Sequence, residues 1–262
     1  MHGARVAHKL GKPCHDARVK LDARLNLFVT LVAVFVTCLI VGDMVGGKLT
    51  SFELFGREWL FSVGQLAFPV TFILTDILNE FYGRKVVRRI TFLAFFMVGL
   101  TFGIIYMSSS LPWAPITLKP DWTGVTPAQF GSVFTQATDI QLASMAAFLI
   151  GNLTDISVFF LIKKLTGNRM LWLRATGSTA VSQLIDTIVI SAIIWFWLRG
   201  VSFDTYVTIV LTSYVIKLAA AIVVTPLIYV LHDVIEKRFG IEPAPVEVAS
   251  AEIGGKDEQS RG

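Results

Sequence analysis

Six apolar runs, each long enough to cross a bilayer, constrain this chain more than any other feature. They lie at about 25–45, 60–81, 90–108, 140–162, 179–198 and 206–230. A hydrocarbon core about 30 Å thick takes about 20 apolar residues in helical form. Continuous apolar runs lack the alternation of a membrane barrel, and an unpaired strand cannot sit in lipid. The expected fold is an all-α membrane protein with six transmembrane helices in one domain, residues 25–232. A basic arm, 1–24, precedes it, and the polar, aperiodic tail, 233–262, is expected to be disordered. The first run is too long for a signal peptide and no small-residue cleavage site follows it, so it reads as a membrane helix.

The basic residues between the runs set the orientation. The arm carries Arg5, Lys9, Lys12, Arg18, Lys20 and Arg24, and the next connection only Lys48 and Arg57. Arg84, Lys85, Arg88 and Arg89 follow, then Lys119 alone, then Lys163, Lys164, Arg169 and Arg174. Arg199 stands alone before the last run, and Lys237, Arg238, Lys256 and Arg261 lie beyond it. Rich and poor connections alternate strictly, which predicts both termini in the cytoplasm and a multi-pass place in the bacterial inner membrane.

The same distribution excludes other classes. The net charge of +4 belongs to these clusters, with no basic-aromatic platform for nucleic acid. No His, Cys, Asp and Glu share metal-ligand spacing on one helix, so neither metal nor cofactor is expected. Cys14 and Cys38 are too far apart in topology for a disulfide. No Walker sequence is present, so the chain itself does not hydrolyse nucleotides.

Polar groups inside hydrocarbon are costly, which makes each a candidate for function. In the second run Asp76, Asn79 and Glu80 share one helical face. Glu80 has two readings, a site residue or an interfacial carboxylate paired with Arg84 at i+4. Pro69 frees the carbonyl of Gln65, so the helix is kinked there or broken to line a cavity. Asn152 and Asp155 share a face of the fourth run, and Leu-Thr-Asp-Ile recurs at 74–77 and 153–156, by chance or as an internal repeat. The fifth run bears a Ser178, Ser182, Asp186 stripe with Gln183 beside it. Lys217, near the middle of the sixth run, needs a carboxylate partner among Asp76, Asp155 and Asp186. Asp43 is expected at the interface. The long connection 109–138, rich in aromatics and proline, reads as an interfacial loop or as a lid over a substrate mouth.

These residues resemble a known family. The segments Pro69 to Gly83 and Leu171 to Thr187, with Tyr214, Lys217 and the stretch Thr225 to Tyr229, are similar to the queuosine precursor transporters, a branch of the vitamin uptake transporters. The similarity covers residues 26 to 232. It implies import of a small-molecule deazapurine, such as 7-cyano-7-deazaguanine, for tRNA queuosine salvage. A guanine-like edge offers two adjacent N–H donors and a carbonyl acceptor. Asp76, Glu80, Asp155 and Asp186 are candidate acceptors, and Asn79, Asn152, Gln183 and Lys217 candidate donors. With Gln65 they form the expected substrate-binding set.

Two other classes compete. A vitamin-binding subunit would dock on a separate ATPase module, but the Ala-x-x-x-Ala surface typical of such subunits is interrupted here, Ala33 being followed by Thr37. An intramembrane aspartyl hydrolase would want Gly-rich loops at its paired carboxylates, and Asp155 and Asp186 lack them. A solitary, non-enzymatic importer, with membrane lipid as its surroundings and no obligate ATPase partner, is the expectation.

Overall fold

The computed structural model describes residues 23–54, 56–134, 138–167 and 169–245. The basic arm up to residue 22 and the tail beyond 245 lie outside the described residues. Helix α1 spans Ala23–Val45, and strands β1 (Leu49–Leu54) and β2 (Arg57–Ser62) form a hairpin. A 3-10 turn, Val63–Ala67, leads into α2, Phe68–Ser110. A short helix α3, Pro127–Phe134, precedes α4, Thr138–Thr166. Helix α5, Leu171–Ser191, continues as a π-helix over Ala192–Leu198, and α6 spans Phe203–Phe239.

The hairpin corrects the expectation of a helix from residue 60. Residues Leu60 to Ser62 pair in β2, and Gly56 turns the chain at φ 71°. Pro69 neither kinks nor breaks a helix. It sits in the first turn of α2, where its missing N–H is one of the groups that a helix start leaves unpaired anyway.

Helix α2 holds 43 residues, roughly 65 Å if straight and about twice a bilayer core. It is not straight. Gly83 has φ 78° and ψ 165°, a conformation that side-chain-bearing residues rarely adopt. The contacts show a reversal. Asn79, before the break, reaches Asp155, and Thr91, after it, reaches Asn152 on the same turn of α4. In one straight helix Asn79 and Thr91 would stand about 18 Å apart. Leu74 and Leu78 of the first arm likewise share a core with Val87, Ile90 and Ala94 of the second, closed by Phe35 of α1 and Ile156 of α4.

Among the described residues, five segments are long and apolar enough to cross a membrane: Arg24–Val45, Val63–Ser110, Gln141–Thr166, Leu171–Leu198 and Phe203–Phe239. The second of them contains both arms of α2. A further core joins α2 to α5 and α6 through Ile73, Ile77, Phe81, Ala175, Ile228 and Ile235. The chain's described ends meet, with Arg24 donating to the carbonyl of Gly240 at 2.7 Å. Helix α6 runs past residue 232, where the sequence set the end of the transporter domain, to Phe239. Residues 240–245 then fold back on the bundle, burying Ile241 and donating Ala244 N–H to Glu80 O at 2.7 Å.

Candidate functional site

A cavity of about 440 Å³ opens between α1, both arms of α2, α4 and α5. Helices α1, α4 and α5 each give it one stripe at helical spacing. Phe35, Leu39 and Gly42 come from α1 with Gly46 just past its end, Gln141, Ser144, Phe148, Asn152 and Asp155 from α4, and Thr179, Gln183, Asp186 and Ile190 from α5 with Ile194 in its π-helical continuation. The α4 stripe alone spans about 21 Å, so the cavity is a deep cleft. Its mouth is at the β-hairpin end, where Leu49, Ser62, Val133 and Phe134 also line it. Phe134 packs against Phe130 with the rings tilted at 44°, and Phe130 meets Trp113 edge-on. The end of the aromatic connection therefore reaches the mouth.

Among the described residues three carboxylates face this space. Asp155 accepts from Ser182 Oγ at 3.2 Å on one oxygen and from Asn79 Nδ2 at 3.3 Å on the other. Asp186 accepts from Lys217 Nζ at 2.6 Å on Oδ2. Asp43 accepts from Ser144 Oγ at 2.9 Å on Oδ1. Lys217 itself does not line the cleft but is buried, its ammonium 4.8 Å from the ring centre of Phe68, which does line it. A desolvated cation over an aromatic face is favourable, so Phe68 and Asp186 together hold it. The partner demanded of Lys217 by its burial is thus Asp186.

Of the residues expected to bind substrate, Asn152, Asp155, Gln183 and Asp186 line the cleft, and Gln65, Asp76, Asn79, Glu80 and Lys217 do not. Asn79 and Lys217 touch the wall's carboxylates from behind. Gln65 lies in the 3-10 turn off the wall, and Asp76 is buried beside the Asn79 contact. Glu80 is farther away. It does not pair with Arg84 but receives Arg174 at 2.6 Å and Lys163 at 3.3 Å, with His232 at 4.0 Å. Two cations counted with the basic connections have turned inward, because a buried carboxylate repays their desolvation better than an exposed neighbour repays Arg84.

The cleft, its carboxylates and its aromatic walls lie largely within residues 62–231, the stretch matched by the family described as "Putative vitamin uptake transporter". The chain belongs to the vitamin uptake transporter family. Three curated relatives are similar over most or half of it. The "Probable queuosine precursor transporter" of Bacillus subtilis (strain 168) is 30% identical over 185 residues, 70% of this chain and 76% of the relative. The "Queuosine precursor transporter" of Escherichia coli (strain K12) is 29% identical over 178 residues, 67% and 74% of the two chains. The "Probable queuosine precursor transporter" of Haemophilus influenzae (strain ATCC 51907 / DSM 11121 / KW20 / Rd) is 25% identical over 136 residues, 51% of each. No solved structure matches. With its long apolar helices, this vitamin uptake transporter is a multi-pass membrane protein.

Several cleft residues of this family member escaped the sequence reading. Asp43 was expected at the interface, yet it falls on the stripe of Phe35, Leu39 and Gly46 and lines the cleft. Its spacing from those residues was the available signal. Trp195 and Arg199, one turn apart, also line it, with the guanidinium 4.6 Å from the indole centre. Trp195 lies within the π-helix and Arg199 directly follows it, and the wider turn of such a helix re-aims side chains and recurs at functional sites. No hydrophobic period announces such a turn.

Gly151 sets how closely α4 approaches Asp186. A methyl group there would lie 3.0 Å from Asp186 Cβ and 3.5 Å from its Oδ1. Gly151→Val is expected to separate α4 from α5, cost about 1–3 kcal/mol by overpacking, and lower uptake per inserted molecule more than it lowers the amount of protein. Equal uptake per molecule at normal abundance would show that the close approach has no bearing on the cleft.

Proposed function

We propose that this chain imports 7-deazaguanine precursors of queuosine, such as 7-cyano-7-deazaguanine, across the bacterial inner membrane. The observation that carries the reading is the cleft, in a family whose matched relatives are named for queuosine precursors. A space of about 440 Å³ suits a small ring system, and its pattern of few polar groups among apolar walls is that of a ligand site. Asp186 keeps a second oxygen for the N–H donors of a guanine-like edge, and Asp155 lies on the same wall. Gln183 and Asn152 supply amide donors for the ring carbonyl. Phe68, Phe72, Phe148 and Trp195 offer faces to the ring system. Asn79 and Lys217 act through the carboxylates they hold. Import proceeds without a docked ATPase.

The test uses cells that cannot make queuosine, given trace external 7-cyano-7-deazaguanine. tRNA queuosine should rise with this protein and stay near zero without it. No difference between the two would reject the assignment.

The same proposal includes six spans, the two arms of α2 each crossing once, and both termini in the cytoplasm. The meeting of Arg24 with Gly240 supports an even number of crossings. The end of the bundle bearing Lys48, Lys119 and Arg199 is poor in basic residues, and the end bearing Arg84, Arg88 and Lys164 is rich. Tags on either terminus should be reachable only from the cytoplasm, and a cysteine placed at Lys119 should react with an impermeant reagent from outside. A C-terminal tag reachable from outside would overturn the orientation.

A further inference from the structure

Behind the wall of the cleft, Asp76 and Asn79 stand one turn apart on one face of α2, 2% and 0% exposed. Asp76 Oδ1 and Asn79 Oδ1 are both buried, and neither has a hydrogen-bond partner among the described residues. Two buried acceptors side by side are costly, and what the pair lacks is one donor. A hard metal cation is a poor answer, because it wants six or more oxygens and no group of three His, Cys, Asp or Glu among the described residues could hold one. A proton on Asp76 would supply that donor, and Asn79 Oδ1, one turn away on the same face, is the buried acceptor it would serve.

We propose that Asp76 is a proton-binding site that couples transport to the proton gradient, an inference that rests on the transporter reading above. Asn79 is the link. Its Nδ2 donates to Asp155 Oδ2 at 3.3 Å, and Asp155 lies on the cleft wall. A proton on Asp76 polarises the Asn79 amide and strengthens its bond to Asp155, because linked hydrogen bonds reinforce one another. Asp155 is thereby held as an oriented carboxylate while substrate binds. Loss of the proton to the other side withdraws that support from the Asn79 amide, so Asp155 is held less firmly and substrate binding weakens. Proton and substrate therefore favour each other, and one proton crosses with each substrate.

The charged groups facing Asp76 are Asp155 on α4 and Glu80 on its own helix. The cations of the neighbouring elements are engaged elsewhere, Lys163 of α4, Arg174 of α5 and His232 of α6 around Glu80, and Lys217 of α6 on Asp186. Helix α1, also packed on α2, brings only Asp43 and Cys38 to the cleft. Among the described residues no cation is in place to neutralise Asp76.

Two measurements test this. Purified protein in liposomes is given labelled 7-cyano-7-deazaguanine and a gradient one pH unit more alkaline inside. Accumulation should reach about tenfold at one proton per substrate and collapse with a protonophore, and Asp76→Asn should stop at equilibration. A response to a sodium gradient alone, or a gradient response kept by Asp76→Asn, overturns the proposal. Infrared difference spectra read the site without substrate. The native protein should show a protonated carboxyl band at neutral pH that Asp76→Asn removes. If the native protein fails to exchange 7-cyano-7-deazaguanine across the liposome at all, the substrate assignment fails, and the infrared band alone decides. Its presence upholds the proton site and its absence refutes it.

Discussion

Glu80→Gln is expected to remove most of the membrane-inserted protein. Glu80 is 1% exposed and holds Arg174 at 2.6 Å and Lys163 at 3.3 Å, which are 3% and 0% exposed. Glutamine keeps the shape and one acceptor but leaves two buried cations with no opposing charge. Stripping one partner from a buried pair costs about 3–5 kcal/mol, a large part of the stability of an ordinary domain. The cluster also joins four helices at the end of the bundle opposite the cleft mouth. Lys163 reaches the Glu80 carbonyl at 3.4 Å, and Ala244 closes over it. Lys163→Met should be much milder, because Glu80 then keeps Arg174. Detergent-solubilised yield and thermal unfolding would measure both. A Glu80→Gln protein with native abundance and unfolding temperature would mean that this cluster does not hold the helices together.

Asp186→Asn is expected to lower uptake per inserted molecule by about 10²- to 10⁴-fold, the range reached when a buried recognition group is left unpaired. The swap places an amide donor against the donors of a guanine-like edge. It also strands Lys217, whose only ion-pair partner among the described residues is Asp186. The two effects separate in the double variant Asp186→Asn with Lys217→Met. Removing both charges should restore the amount of protein, since a neutral packed pair replaces an ion pair at little cost. It should not restore uptake. Recovery of uptake in the double variant would reduce the pair to a structural one and remove Asp186 from recognition. Asp43 cannot serve as an indifferent control, because it lines the cleft. Asp233→Asn can, since among the described residues Asp233 pairs only with Lys237 on an exposed face, where such pairs contribute little.

Much of the fold was legible beforehand because lipid imposes simple rules. Apolar length marks the spanning helices, and helical spacing says which polar residues share a face. The Ser178, Ser182 and Asp186 stripe and the Asn152, Asp155 pair do face the interior, and the burial of Lys217 demanded the carboxylate it has. The strand pairing of Leu60 to Ser62 was hidden, because a hydrophobic run reads alike as strand or helix until its partner is known. The reversal of α2 at Gly83 left only a glycine among basic residues as its trace.

What the sequence by itself determined, then, is the set of inward polar faces and the spans that carry them, since both follow from local period and length. Which polar group meets cleft and which meets another side chain was decided by tertiary structure alone. Glu80 finds Arg174 across 94 residues of chain, and Asn79 finds Asp155 across 76. Such pairings depend on how each helix is rotated and how closely it approaches its neighbour. A small change in either, at Gly151 for instance, moves a side chain from the cleft wall to the space behind it. Helical period carries no term for that rotation, so the sequence could list the candidates, and only the packed bundle could sort them.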